Sequence, residues 1–325
     1  MIDWVRLDLT GQVTKDQLEK ELKVEFQLRT FHSGNQYFEE WSADILGMKV
    51  IFKHHGKILL EGSIHKFWNR TKGHGDQNWN LFRFQDCVDA ITMLSDTLGI
   101  DPKNTTVRQF EYGINIPLGR LSATRFIEEA LVCHQNKGFD SRLIRPGEVG
   151  VYADFVHADF YIKVYDKGIQ YRRPDQILRF EVKTRRSEFN ERLGVFHLSD
   201  LMDREVWFTL VSNLTKRFES DLLVIDPRTS WTGTPQQLVN VQLLATSGFW
   251  ESMSGQANKR NRQRARKVLS NIDQSVQPLF SWHEKSLHLL KRECAKLYQT
   301  ALLPESAEPE PMRRLSTYIQ EKDGP

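Results

Sequence analysis

Four stretches of this chain alternate apolar and polar residues closely enough to be read as strands with two unlike faces. Side chains alternate sides along an extended backbone, so residues two apart share a face. In the first stretch Ile58, Leu60, Gly62 and Ile64 oppose Glu61, Ser63 and His65. In the second, Phe110, Tyr112, Ile114 and Ile116 oppose Gln109, Glu111, Gly113 and Asn115. The third sets Ala158, Phe160, Ile162 and Val164 against His157, Asp159, Tyr161, Lys163, Tyr165 and Lys167. The fourth sets Leu178, Phe180 and Val182 against Arg179, Glu181 and Lys183. One apolar face per strand is what an antiparallel sheet covered by helices on one side requires. The fold class expected is therefore α+β, a mainly antiparallel sheet with helices on one face.

Other elements follow from periodicity and punctuation. Met48 to Phe52 and Lys57 to Phe67 read as strands joined at His55-Gly56. Val88, Ile91, Leu94 and Leu98 recur at helical spacing from Phe84 onward, and Gly99 and Pro102 stop the helix. Ser122 caps a helix running to about Cys133. From about Leu198 the chain becomes mainly helical. Helices are expected near Arg204–Phe218, Pro235–Leu244, Gln256–Ile272 and Phe280–Thr300, with a short strand at Leu222–Ile225. This organisation predicts a mixed strand-and-helix domain over 1–226, a helical region over 227–303, and a Pro- and Glu-rich disordered tail over 304–325.

Composition excludes more than it selects. The 325 residues are 39% hydrophobic and 27% charged, with no run near the roughly 20 apolar residues a membrane span needs. The amino terminus lacks the basic-then-apolar layout of a secretory signal, so a cytoplasmic protein is expected. Cys87, Cys133 and Cys294 are far apart and form no CxxC, which argues against a disulfide framework and a zinc site. A net charge of +3 is too small to demand a polyanionic partner, so the distribution of charge matters more.

The polar faces gather carboxylates, imidazoles, tyrosines and lysines where an ordinary sheet would present Thr and Ser. A carboxylate, an imidazole and a phenol beside an ammonium suit metal-assisted phosphoryl transfer, provided the strands are neighbours. Lys163-Val164-Tyr165-Asp166-Lys167-Gly168, followed by Leu178-Arg179-Phe180-Glu181-Val182-Lys183, resembles a paired signature of rolling-circle replication initiators. These are the filamentous-phage gene II product and related plasmid and phage proteins. Phe110-Glu111-Tyr112-Gly113-Ile114-Asn115 is similar to the family's acidic strand, and Glu61-Gly62-Ser63-Ile64-His65-Lys66 to its Gly- and His-bearing strand. Ser247-Gly248-Phe249-Trp250 before an Arg-rich helix adds to the likeness, which spans about Ile58 to Lys267. The wider superfamily's His-hydrophobic-His triplet is missing, and Glu111 stands where aspartate is common.

The resemblance implies an HUH-endonuclease-like fold and a nickase that holds the cut 5′ end as a phosphotyrosine. It places the nucleophile at Tyr165, with Tyr161 as understudy on the same face. A phenol with a pKa of about 10 needs a proton acceptor or a neighbouring positive charge to attack, and Lys167 is the expected cation. Glu111, Glu181 and His65 are the implied ligands for Mg²⁺ or Mn²⁺, a donor set suited to those ions. Asn115 shares the face of Glu111 as a further metal or substrate contact. The implied partners are origin DNA, single- and double-stranded, and host replication proteins.

Lys259, Arg260, Arg262, Arg264, Arg266 and Lys267 crowd barely three helical turns without interleaved glutamates, as a phosphate-contacting helix would. Arg185, Arg186 and Arg192 could flank a DNA path. Lys53-His54-His55-Gly56 lies at a hairpin turn and is not expected to bind metal. Two rivals remain: a non-catalytic DNA-binding initiator or regulator, and a mobilisation relaxase. A helicase is disfavoured by the lack of a Gly-x-x-x-x-Gly-Lys-Ser/Thr loop.

Overall fold

The computed structural model describes residues 1–33, 36–138, 150–227, 231–253 and 255–298. In chain order the elements are β1 (Ile2–Asp8), α1 (Lys15–Leu22), β2 (Gln27–Ser33), β3 (Gln36–Ile45), β4 (Met48–Phe52), β5 (Ile58–Ser63), α2 (Ile64–Thr71), α3 (Phe84–Leu98) and β6 (Thr106–Pro117). They continue with α4 (Ala123–Arg125), β7 (Leu131–His134), β8 (Tyr152–Val156), β9 (Phe160–Asp166), α5 (Lys167–Gln170), β10 (Ile177–Thr184), α6 (Ser187–Arg192) and α7 (Arg204–Lys216). The last are β11 (Leu222–Val224), α8 (Pro235–Leu244), α9 (Ser247–Ser252), α10 (Lys259–Ser275) and α11 (Ser281–Lys296). The class is α+β with antiparallel strand pairing and a helical carboxy-terminal region.

The chain forms two compact units, and neither is one continuous stretch. The first comprises Met1–Gly113, Lys183–Val211 and the segment from Ala295; the second comprises Ile114–Val182 and Ser212–Cys294. The units interleave, so they do not part at residue 226 as the sequence suggested. The tail expected from residue 304 lies outside the described residues.

In the first unit the strand order is β2-β3-β4-β5-β1-β6, antiparallel at each step. Arg6 stands opposite Glu61 on β5 and Gln109 on β6. Val5, Leu7, Leu60 and Phe110 are fully buried, while Arg6 and Glu61 on the other face are half-exposed. The buried face is covered by α2 through Ile64 and Phe67, and α3, with Ile91, Leu94 and Leu98 buried, packs against α2. Helix α3 stops where expected: Gly99 adopts φ 64°, and its N–H bonds the Ser95 carbonyl. The β2–β3 hairpin escaped the sequence reading because its polar and aromatic residues lack a clean period.

The second unit takes in the end of β6 and the strands β10, β9 and β8, with β8 antiparallel to β9. Asn115 pairs by side chain with Arg179, and the Leu118 N–H bonds the Gln176 carbonyl, so β10 runs antiparallel to β6 here. A separate pair, β7 and β11, joins α8, α9 and α10 around Cys133, Leu223, Val241, Trp250, Leu269 and Ile272.

Several boundaries moved. The strand expected to reach Phe67 ends at Ser63, whose hydroxyl caps α2, so His65 sits on a helix. The strand expected over His157–Lys167 is β9 alone, which leaves His157 before it and Lys167 in α5. The helix expected from Ser122 to about Cys133 ends at Ala130 and gives way to β7. All three cysteines are free, and burial pushes each thiol up to about 12, which makes them core residues rather than nucleophiles.

Candidate active site

Within the second unit, neighbouring strands β9 and β10 bring Tyr165 and Glu181 together. The Tyr165 hydroxyl donates to Glu181 Oε2 at 3.3 Å and accepts from Lys167 Nζ, also at 3.3 Å. The same Oε2 accepts from Arg179 Nε at 2.9 Å, and Lys163 Nζ lies 3.3 Å from Oε1. Arg179 reaches on to Asn115 Oδ1 at 3.3 Å. Tyr165, Lys167, Arg179 and Glu181 are 8%, 1%, 4% and 2% exposed, so what looked like a water-facing strand surface is an interior polar cluster. A buried charge is tolerated only when it is paired and hydrogen-bonded. Here Lys163, Lys167 and Arg179 gather about one carboxylate and one phenol.

Tyr165 and Lys167 do not meet by sharing a strand face, as the alternation suggested. β9 ends at Asp166, whose Oδ1 accepts from the Ile169 N–H and whose Oδ2 accepts from Thr124 Oγ1. That cap turns the chain into α5. Gly168 allows the turn to close, since a Cβ there would sit 2.1 Å from the Asp175 carbonyl oxygen. The Lys167 ammonium then lies 5.3 Å from the Tyr165 ring centre and 5.2 Å from that of Tyr171. On β8, Tyr152 stacks on Tyr165 at 5.4 Å and fixes the ring's plane. Tyr161, the understudy, is half-exposed on the same strand.

No family model matches the chain, and no curated protein matches it. Among solved structures it is similar to a rolling circle replication initiator protein from Geobacillus stearothermophilus. The TM-score is 0.39 at 14% identity, over 67% of this chain and 84% of that one. A likeness this weak carries no argument about either fold or chemistry. The functional reading therefore rests on the residues themselves.

The proposed metal ligands do not form a set. Glu111 belongs to the first unit, where it pairs with Lys183 at 2.9 Å, and Lys183 also lies over the Trp4 ring at 3.9 Å. His65, also in the first unit, bonds Asn80 Oδ1 through Nε2 at 2.8 Å and stacks on Phe82 at 4.5 Å. Glu181 has both oxygens engaged by Tyr165, Arg179 and Lys163. Among the described residues no group of three or more His, Cys, Asp or Glu is arranged to hold a metal ion. The arrangement fits ion pairs better than Mg²⁺ or Mn²⁺. His54 and His55 meet edge to face at 4.8 Å beside the β4–β5 turn.

The basic helix is α10, and it divides into two kinds of cation. Lys259, Arg260, Arg264 and Lys267 are exposed. Arg262 instead donates from Nη1 to the carbonyls of Met253 and Gly255, both at 2.6 Å, and so ties down the α9–α10 connection. Arg266 lies over the Trp250 ring at 5.5 Å. These two make contacts within the protein, while the other four of the expected DNA contacts point to solvent. Arg179 and Lys163 were not chosen as site residues, although their place on the strand faces of Glu181 and Tyr165 was visible.

No described helix is long and apolar enough to cross a membrane.

Proposed function

We propose that this chain is a rolling-circle replication initiator that nicks and rejoins DNA through Tyr165. The observation that carries the reading is the Tyr165 hydroxyl held between Lys167 Nζ and Glu181 Oε2, each at 3.3 Å. A phenol so placed has an acceptor for its proton and a cation for the phosphate it attacks. In the nicking step the phenol oxygen bonds to phosphorus as the phosphorus–3′-oxygen bond breaks. The phenolic proton passes to Glu181, and the departing 3′-oxygen takes a proton from solvent. The product is a 5′-phosphotyrosine and a free 3′-hydroxyl. Rejoining reverses these steps, so no energy cofactor is consumed.

Lys167, Lys163 and Arg179 supply positive charge near the reacting phosphate. No step is assigned to a metal, because Glu111, Glu181 and His65 are committed to other partners. The four exposed cations of α10 serve as the sequence-independent grip on duplex DNA. The rival, a DNA-binding regulator that never cuts, has no use for a phenol set between an ammonium and a carboxylate.

The test is incubation of the purified protein with supercoiled origin plasmid, with Mg²⁺, with Mn²⁺ and with chelator. Nicking together with a covalent protein–DNA adduct, both lost in Tyr165→Phe, supports the proposal. Full activity in that variant would remove Tyr165, and an adduct that then vanishes in Tyr161→Phe would assign the chemistry to Tyr161.

A further inference from the structure

In the first unit, β1, β6 and the segment after β10 enclose a cleft of about 470 Å³ that the chemistry at Tyr165 does not use. Four arginines line it: Arg6, Arg108, Arg185 and Arg186. Gln109, Ser187 and Glu188 complete the lining, and no aromatic or aliphatic side chain lines it among the described residues. The cleft is built for charge rather than for an apolar ligand or a stacked base.

Two of the arginines are held from behind. Arg6 donates to Gln109 Oε1 at 3.3 Å and to Glu61 Oε2 at 3.1 Å. Arg108 donates from Nε and Nη2 to Asp8 Oδ2 at 3.1 and 2.6 Å. Gln109 also bonds the Arg185 carbonyl at 3.4 Å, which links the strand to the segment bearing the other pair. A guanidinium carries five N–H donors, so Arg6 and Arg108 keep donors beyond those given to these partners. The carboxylates behind Arg6 and Arg108 lie deeper than these cations, while Glu188 at the rim is exposed: Asp8 and Glu61 side chains are 11% and 23% exposed, against 48% and 37% for Arg108 and Arg6. Arg185 and Arg186 are exposed as well. Solvent therefore meets four guanidinium groups and one carboxylate, and planar guanidinium forks match the paired oxygens of a phosphate.

We propose that this cleft binds the phosphodiester backbone of a single DNA strand, as a further contact in addition to α10 and the Tyr165 cluster. An open cleft of this size takes a strand's backbone. The absence of base-stacking side chains in the lining makes the contact independent of sequence. Naming DNA as the source of the phosphates rests on the function proposed above; the cleft's preference for phosphate does not.

The test uses Tyr165→Phe protein, so that binding is read without cutting, and a fluorescein-labelled single-stranded oligonucleotide of mixed sequence. Anisotropy is measured across a range of salt. The added substitutions Arg185→Gln and Arg186→Gln, both at exposed positions, are expected to weaken binding about tenfold. They should also lower the slope of log K against log salt by about 1, since each strand phosphate contributes roughly 0.7. Unchanged affinity and slope in a variant with unchanged melting temperature would overturn the proposal. Inorganic phosphate alone forms the second arm. If it raises the melting temperature of the parent but not of the double variant, while oligonucleotide binding is unaffected, the site takes free phosphate and the strand assignment fails. Loss of nicking in Tyr165→Phe bears on the proposed function and leaves this result untouched.

Discussion

The Lys167 ammonium lies 3.3 Å from the Tyr165 hydroxyl because a strand ends between them. Asp166 caps α5, and the reversal folds Lys167 back over the ring it follows. The ammonium is 1% exposed, so its charge acts on the phenol with little screening from water. Replacing Lys167 by Met should lower the nicking rate about 10² to 10³-fold, the usual cost of removing one preorganised charge donor. Single-turnover nicking against substrate concentration would check it, with the loss expected in the rate constant rather than in binding.

Gly168→Ala tests the same turn from the backbone side. The added Cβ would meet the Asp175 carbonyl at 2.1 Å, and a carbonyl fixed in the chain cannot swing aside as a side-chain tip can. The variant should lose stability, by about 1 to 3 kcal/mol as overpacked sites do, and lose nicking with it. Denaturant unfolding beside an adduct assay would show whether the two losses travel together.

Glu181→Gln removes a carboxylate that Arg179 and Lys163 share. Breaking a buried ion pair by removing one partner typically costs about 3 to 5 kcal/mol. The melting temperature should fall by several degrees in addition to the loss of activity. A variant as stable as the parent would show that the carboxylate does not hold the cluster together.

The protein should lose stability on acidification through His134. Burial, with help from His157 and Arg217, pushes its pKa down to about 2, and its Nδ1 lies 2.9 Å from His157 Nε2. The unfolded chain takes up this proton below about pH 6.5, while the folded form does not until about pH 2. Stability from the neutral ring is therefore complete above pH 6.5 and is lost as the pH falls, at up to about 1.4 kcal/mol per pH unit. Urea unfolding near pH 7.5 and near pH 5 should show the drop, and His134→Gln should show a smaller one.

The two kinds of cation on α10 should separate by assay. Alanine at Lys259, Arg260, Arg264 and Lys267 should weaken duplex binding and lower its salt slope while leaving the melting temperature unchanged. Arg262→Ala should lower the melting temperature, because it frees the Met253 and Gly255 carbonyls.

Much of this was legible in the residues. β6 and α3 run over the stretches their periodicity indicates, and Tyr165 and Glu181 meet as their strand motifs implied. The misses share a cause. Ser63 and Asp166 look like ordinary strand residues, yet their side chains cap helices, and so His65 and Lys167 leave the sheet. Capping depends on where the backbone turns, which alternation alone does not reveal. Glu111 and Glu181 read as ligands because sequence shows which residues are present and not that Lys183 and Arg179 pair with them.

The path of the chain bears on how such a protein can be cut or recombined. The polypeptide passes between its two units at 113/114, 182/183, 211/212 and 294/295. The final passage returns Leu297 to bond the Phe84 N–H, and Tyr298 to stack on Phe208 at 4.9 Å. A fragment ending at residue 226 would thus lack pieces of the core laid down beside its earliest helices. Shuffling modules at such a seam would break both halves, which ties the fate of Tyr165 to that of a carboxy-terminal helix more than a hundred residues further along the chain.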